Sequence, residues 1–139
     1  MKEVTKLMIK DYKLNRLKYD FMGYTFNNTS QLSFHHLIIP HRDCKRLGYG
    51  DGYYRWNGAI LRQNTSHEYL HVIENYDRDR FLAISNHMIE MNVLERLDKD
   101  SLKAIRDVLL SFEREYRDQN NKKGKRLIKP EYINNRIKL

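Results

Sequence analysis

Between residues 31 and 76 the apolar pattern of the chain changes period, and few architectures accommodate the change. QLSFHHLIIP (31–40) reads as a strand of β-branched and aromatic residues closed by Pro40, which has no N–H to give to a sheet ladder. HRDCKRLGYGDGYYR follows, and its three glycines and Asp51-Gly52 pair predict a turn or loop. WNGAILRQ (56–63) is a second short strand. From Thr65 the spacing becomes helical, because Thr65-Ser66-His67-Glu68 fits a capping box in which Thr and Glu satisfy each other's backbone donors, so a helix is predicted to begin at His67. Two short strands feeding a helix make the expected fold class α+β.

The flanks are helical by the same reasoning. Residues 3–20 space Val4, Leu7, Met8, Tyr12 and Leu14 closer to helical than to strand period, which predicts one helix there. Residues 77–97 carry Phe81, Ile84, Met88 and Met91 at three- and four-residue intervals. Residues 101–117 repeat the pattern with Leu102, Ile105, Leu109, Phe112 and Tyr116. Both stripes are expected to be core, the second inside the domain or against another copy of the chain. At 139 residues, without a repeat or a Pro- or Ser-rich linker, the chain is expected to form a single domain over 1–120 with a basic tail over 121–139.

Charge narrows the partner. A net charge of +8 points to a polyanion, and the tail alone holds seven basic residues against one acid. Leu127, Ile128, Tyr132, Ile133 and Ile137 make the tail too apolar for a pure polyelectrolyte, so part of it is expected to pack on the domain. No apolar stretch is long enough for a bilayer, and MKEVTKLMIK lacks the apolar block of a secretion signal, so the expectation is a protein of the host cytoplasm without a membrane role. Cys44, the only cysteine, excludes both an internal disulfide and a thiolate zinc knuckle. Any metal must therefore be held by histidine, carboxylate or amide groups.

The histidines are where those constraints meet. His67 and His71 lie four apart at the start of a helix, one turn above each other on one face, where two imidazoles can share an ion. That spacing alone also fits two ordinary half-buried histidines. His35 and His36 are neighbours in a strand, so they point to opposite faces and can divide two jobs.

Taken in order, HHLIIP, WNGAIL and HEYLH resemble the HNH nucleases, the ββα-metal group that includes the DNase colicins and homing endonucleases. The resemblance covers about residues 31–76. It implies a ββα-metal motif with flanking amphipathic helices, in which His35, His67 and His71 bind one divalent ion and His36 is the general base. It also implies that Asn57 braces the loop between the strands, with Asn64 a competing candidate. The activity implied is metal-dependent cleavage or nicking of DNA, double-stranded more than single-stranded, by a compact nuclease of the kind that phages and mobile elements carry. The ion is Mg²⁺ or Mn²⁺, or Zn²⁺ or Ni²⁺: imidazoles favour the latter pair, availability and a ligating phosphate the former.

The chemistry stands beside the resemblance. Phosphodiester hydrolysis needs a base for water, positive charge on the phosphate and stabilisation of the departing 3′ oxygen. Neutral His36 can take the water's proton at physiological pH, which Lys or Arg cannot. Arg62, directly after the second strand, is placed to neutralise the phosphate, a surface salt bridge being the alternative. Arg42, Lys45, Arg46, Tyr49, Tyr53, Tyr54 and Arg55 mix cations and rings suited to phosphate contact and stacking. Lys122, Lys123, Lys125 and Arg126 are the tail's candidates for the DNA backbone. Asp43, Glu68 and Glu74 are the acids near enough in sequence to orient a ligand imidazole, Glu68 being expected to serve the helix cap. His41, just past Pro40, is expected to be simply exposed, contact with phosphate being the alternative, and His87 structural. Two other readings stay open: a scaffold that holds DNA or a partner protein as inhibitor or regulator without turnover, and a structural zinc domain.

Overall fold

Two strands, β1 (Leu32–His36) and β2 (Gly58–Arg62), pair antiparallel in the computed structural model, which describes residues 1–139. The register sets His35 opposite Ala59 and His36 opposite Gly58. Gly58 is required there. A Cβ on it would stand 2.2 Å from Cε2 of Phe34, whose ring lies across the strand pair. Ahead of β1 lie α1 (Glu3–Asp11) and α2 (Leu14–Leu17), and the connection between the strands holds one helical turn, α3 (His41–Cys44). After β2 come α4 (Glu68–Tyr76), α5 (Arg78–Leu94), α6 (Lys99–Tyr116) and α7 (Pro130–Asn134). The molecule is thus mixed α+β, with seven helices and one small sheet. None of the helices is long and apolar enough to cross a membrane.

The stripes of the two long helices are core. α5 buries Phe81, Ile84, Met88 and Met91, and α6 buries Leu102, Ile105, Leu109 and Phe112, the two packing along each other while α4 leans on α5. The stripe of α6 is therefore covered by its own chain. Each fully buried side chain of this kind removes enough apolar surface to stabilise the fold by about 1.5 to 3 kcal/mol.

Two local expectations are overturned. The helix expected over 3–20 breaks at Lys13, which adopts left-handed φ 58, with Lys18 doing the same at φ 62. Tyr12 and Leu14 are only two positions apart and cannot share one helix face, yet both are buried, and the break lets both turn inward. The expected capping box at Thr65 is absent. A π-type turn over Gln63–His67 leads into α4, which starts at Glu68, and no side chain caps it. Asp20, fully buried, accepts from the backbone N–H of Met22, Tyr24 and Arg62 and from the Ser66 hydroxyl, so this distant carboxylate organises the turn instead. Glu68 serves elsewhere. It accepts from the Lys129 ammonium at 2.8 Å and from the Tyr132 hydroxyl.

Those last contacts belong to the segment after 126, which returns across the domain. Leu127, Ile128 and Tyr132 are buried, the Tyr24 hydroxyl donates to the Tyr132 carbonyl, and Tyr24 and Arg136 form a bridge continued by Ile137 N–H to Gly23 O at 2.8 Å. The Arg136 guanidinium meets both oxygens of buried Glu113 at 2.8 and 2.9 Å, and the Tyr69 hydroxyl donates to the same carboxylate at 2.7 Å.

Candidate metal and nucleic-acid site

β1, α4 and the π-type turn that leads into α4 bring together three of the predicted histidines, His35, His71 and His67. The rings of His35, His67 and His71 lie 5.1 to 5.4 Å apart centre to centre, and one ligand nitrogen from each lies within 4.8 Å of the others. His35 reaches this face because residues alternate along a strand, which also puts Ser33 on the same side, two positions earlier.

The hydrogen bonds fix which nitrogens are free. The Ser33 hydroxyl donates to the Leu61 carbonyl at 3.3 Å, so its oxygen accepts Nδ1–H of His67 at 2.6 Å and leaves the Nε2 lone pair open. Glu74, on the next turn of α4, accepts Nδ1–H of His71 at 3.1 Å, with the same result. Nε2 of His35 is buried and has no partner at all. An orphaned buried nitrogen facing two oriented imidazoles fits a divalent cation, since a buried polar atom otherwise finds a hydrogen bond. Burial, and then the neighbouring imidazoles, push the His35 pKa down to about 3 and that of His67 down to about 4. Both rings are neutral near pH 7, as ligands must be.

His36 points to the other side of the strand but lines the same cleft, a cavity of about 690 Å³ walled by α5 through Phe81, Ser85 and Ile89. Its Nε2 lies 2.8 Å from the Asp51 carbonyl, which can only accept, so Nε2 carries the hydrogen and Nδ1 is the basic nitrogen. Burial lowers its pKa, the Asp51 carbonyl opposing.

Asn57 holds the long connection that delivers Asp51. Fully buried, it accepts from Ile38 N–H at 2.9 Å and Ile39 N–H at 2.7 Å, while its amide donates to Ile39 O and Gly52 O, both at 3.1 Å. Asn64, its competitor in sequence, is exposed in the π-type turn.

The cations divide. Arg42 and Tyr53 line the cleft, Tyr53 packing 4.9 Å from the His36 ring. Lys45 and Arg46 are exposed beyond it, Arg46 bonding Asp43 at 3.3 Å. Arg55 is paired with Asp11 and opens onto a neighbouring groove. Lys122, Lys123, Lys125 and Arg126 are exposed on a turn that Asn121 closes, outside the cleft. Arg62 is misplaced for the phosphate role: it lies opposite Leu32 at the far end of the strand pair and its guanidinium donates to Thr25 O at 2.8 Å. Arg62 shares the face of Leu32 and His36, and its place at the opposite end of the strand pair from Gly58, the partner of His36, keeps it out of the cleft.

Sequence reasoning missed Arg78 and Ser33 here and preferred simple exposure for His41. The His41 ring, exposed as expected, sits 4.7 Å from that of His36 in the cleft. Arg78 lines the cleft one turn beyond Glu74 and bonds it at 3.3 Å, a spacing readable as an i,i+4 pair. Ser33 was legible from its shared strand face with His35. Compared with known protein families, with curated proteins and with solved structures, the chain matches none.

Proposed function

We propose that this protein is a metal-dependent endonuclease of the HNH type, hydrolysing phosphodiester bonds in DNA. The observation that carries the reading is the buried, unpartnered Nε2 of His35 facing two imidazoles whose other nitrogens are already engaged. The antiparallel pair β1–β2 followed by α4 is the arrangement that a ββα-metal motif requires.

His35, His67 and His71 would hold the ion through nitrogen, a donor set that favours Zn²⁺ or Ni²⁺, with Mg²⁺ or Mn²⁺ admitted where phosphate oxygen completes the set. Bound there, a divalent ion would supply Lewis-acid charge to the phosphodiester. Nδ1 of His36 takes the proton from water as the water oxygen bonds to phosphorus and the bond to O3′ breaks. Asn57 keeps His36 in place by fixing the loop whose Asp51 carbonyl holds the ring. Arg42 and Arg78, at the cleft, take the neutralising role that Arg62 is too distant to fill.

The test is conversion of supercoiled plasmid by wild type and His36→Ala, with each of the four ions and with EDTA. Relaxed or linear product that needs metal and falls by about 10² to 10⁴ in rate in the variant supports the reading. Retarded but uncut plasmid under every ion refutes the enzyme and leaves a scaffold that holds DNA.

A further inference from the structure

Three aromatic side chains stand out of the fold beside the cleft. Tyr49, Tyr54 and Trp56, from the connection between the strands, keep 38%, 43% and 43% of their surface exposed. They nevertheless pack on one another. Tyr54 and Trp56 stack at 5.5 Å with planes 13° apart, and Tyr49 meets both edge-on at 6.4 and 5.6 Å. None belongs to the hydrophobic core.

We propose that this cluster is a stacking platform for unpaired bases, and that the preferred substrate presents a single-stranded segment at the cleft. The inference rests on the nucleic-acid reading above and names its substrate class. Three observations favour this occupant. The first is continuity: Trp56 lines a groove whose wall includes Ile38 and Ile89, and those two residues also wall the histidine cleft. A strand crossing the platform therefore leads to the reacting groups. The second is charge. Arg42 lines the cleft that the groove joins, and Lys45, exposed on the same connection between the strands, has no acidic partner, so a polyanion is favoured over a neutral apolar partner. The third is shape. Paired bases are stacked inside a duplex and offer only edges in the grooves, whereas every unpaired base has a free face to lay on an exposed ring.

Trp56 is the only tryptophan in the chain, so emission excited at the red edge of the band, where the ten tyrosines do not absorb, reports on the platform alone. The full chain, in EDTA so that nothing is cut, is titrated with an oligothymidine 12-mer and with the same strand annealed to its complement. Quenching of Trp56 by the single strand, with affinity at least tenfold above that for the duplex, supports the proposal. Tyr54→Ala, which retains the reporter, is expected to weaken single-strand binding about tenfold and leave duplex binding unchanged. Equal affinities, or an unquenched Trp56, overturn the platform whether or not the protein cuts plasmid. A Trp56 signal that changes with protein concentration alone, and not with either nucleic acid, marks a protein–protein surface and overturns it too. Conversely, selective single-strand quenching with no cleavage of any substrate refutes the nuclease and leaves the platform standing.

Discussion

Replacing Asn57 by alanine tests how the loop that carries Asp51 and Gly52 is held. Four side-chain hydrogen bonds vanish, and the groups left behind are the N–H of Ile38 and Ile39 and the carbonyls of Ile39 and Gly52. At about 1 kcal/mol each, discounted because water reaches the exposed Ile38, the loss is about 3 kcal/mol. Asn57→Asp is the sharper probe, since it puts a carboxylate oxygen where the amide now donates to two carbonyls at 3.1 Å. Ionised, it repels both; protonated, it regains one donor. Its folded pKa is therefore raised above the ordinary value near 3.9, so its deficit relative to wild type is smallest at acid pH and grows as pH rises through the folded pKa. Urea unfolding of wild type and both variants from pH 4.5 to 8 reads both numbers. An alanine variant that loses less than about 1 kcal/mol, or an aspartate variant whose deficit is flat with pH, would refute the reasoning.

Other consequences follow from the same geometry. His35 and His67 have folded pKa values depressed to about 3 and about 4, so the unfolded chain binds more protons below its ordinary histidine pKa of about 6.5. Stability of the ion-free protein is whole above that pH and declines as pH falls, by about 2 kcal/mol per histidine at pH 5, measurable by urea titration. Ser33→Ala and Glu74→Gln are each expected to weaken Zn²⁺ binding by about 10- to 100-fold in competition with a chelating dye, without removing any ligand nitrogen. Arg136→Ala strands the Glu113 carboxylate in the interior and is expected to destabilise the fold by about 3 to 5 kcal/mol in chemical denaturation, although it lies outside the histidine cleft.

What the sequence made legible was local. Aromatic and β-branched residues ending at Pro40 marked the first strand within 31–40 and WNGAILRQ the second within 56–63, and three- and four-residue spacing marked α5 and α6, whose stripes are buried against the rest of the chain. His67 and His71 could be paired because they lie one helix turn apart, whereas joining His35, the fourth residue of β1, to them came only from the family resemblance. What was hidden depends on partners far along the chain. Thr65 through Glu68 satisfies a capping pattern, yet Ser66 turns to Asp20, 46 positions away, and Glu68 to Tyr132, 64 positions away. Arg62 looked poised for a phosphate until its strand register placed it at the end of the pair away from His36. His41 looked incidental because nothing in sequence says that the loop folds its ring back toward His36. The pairing of Glu113 with Arg136 joins two charged residues that each read as surface, and only tertiary burial makes them a pair.

The three imidazoles come from β1 and from α4 with the turn before it, His35 and His67 standing 32 positions apart in the chain. An ion shared between them acts as a reversible cross-link closing that loop, and the chain-entropy estimate for such a closure is roughly 3 to 4 kcal/mol. The strand pair and α4 cannot then separate unless the link opens. Loading would slow the escape of the folded state more than it would hasten its formation, if the three side chains meet late in folding. Chelation would act in the opposite sense, shortening the folded lifetime before it altered the shape, so resistance to proteolysis would track metal supply in whatever compartment the protein occupies.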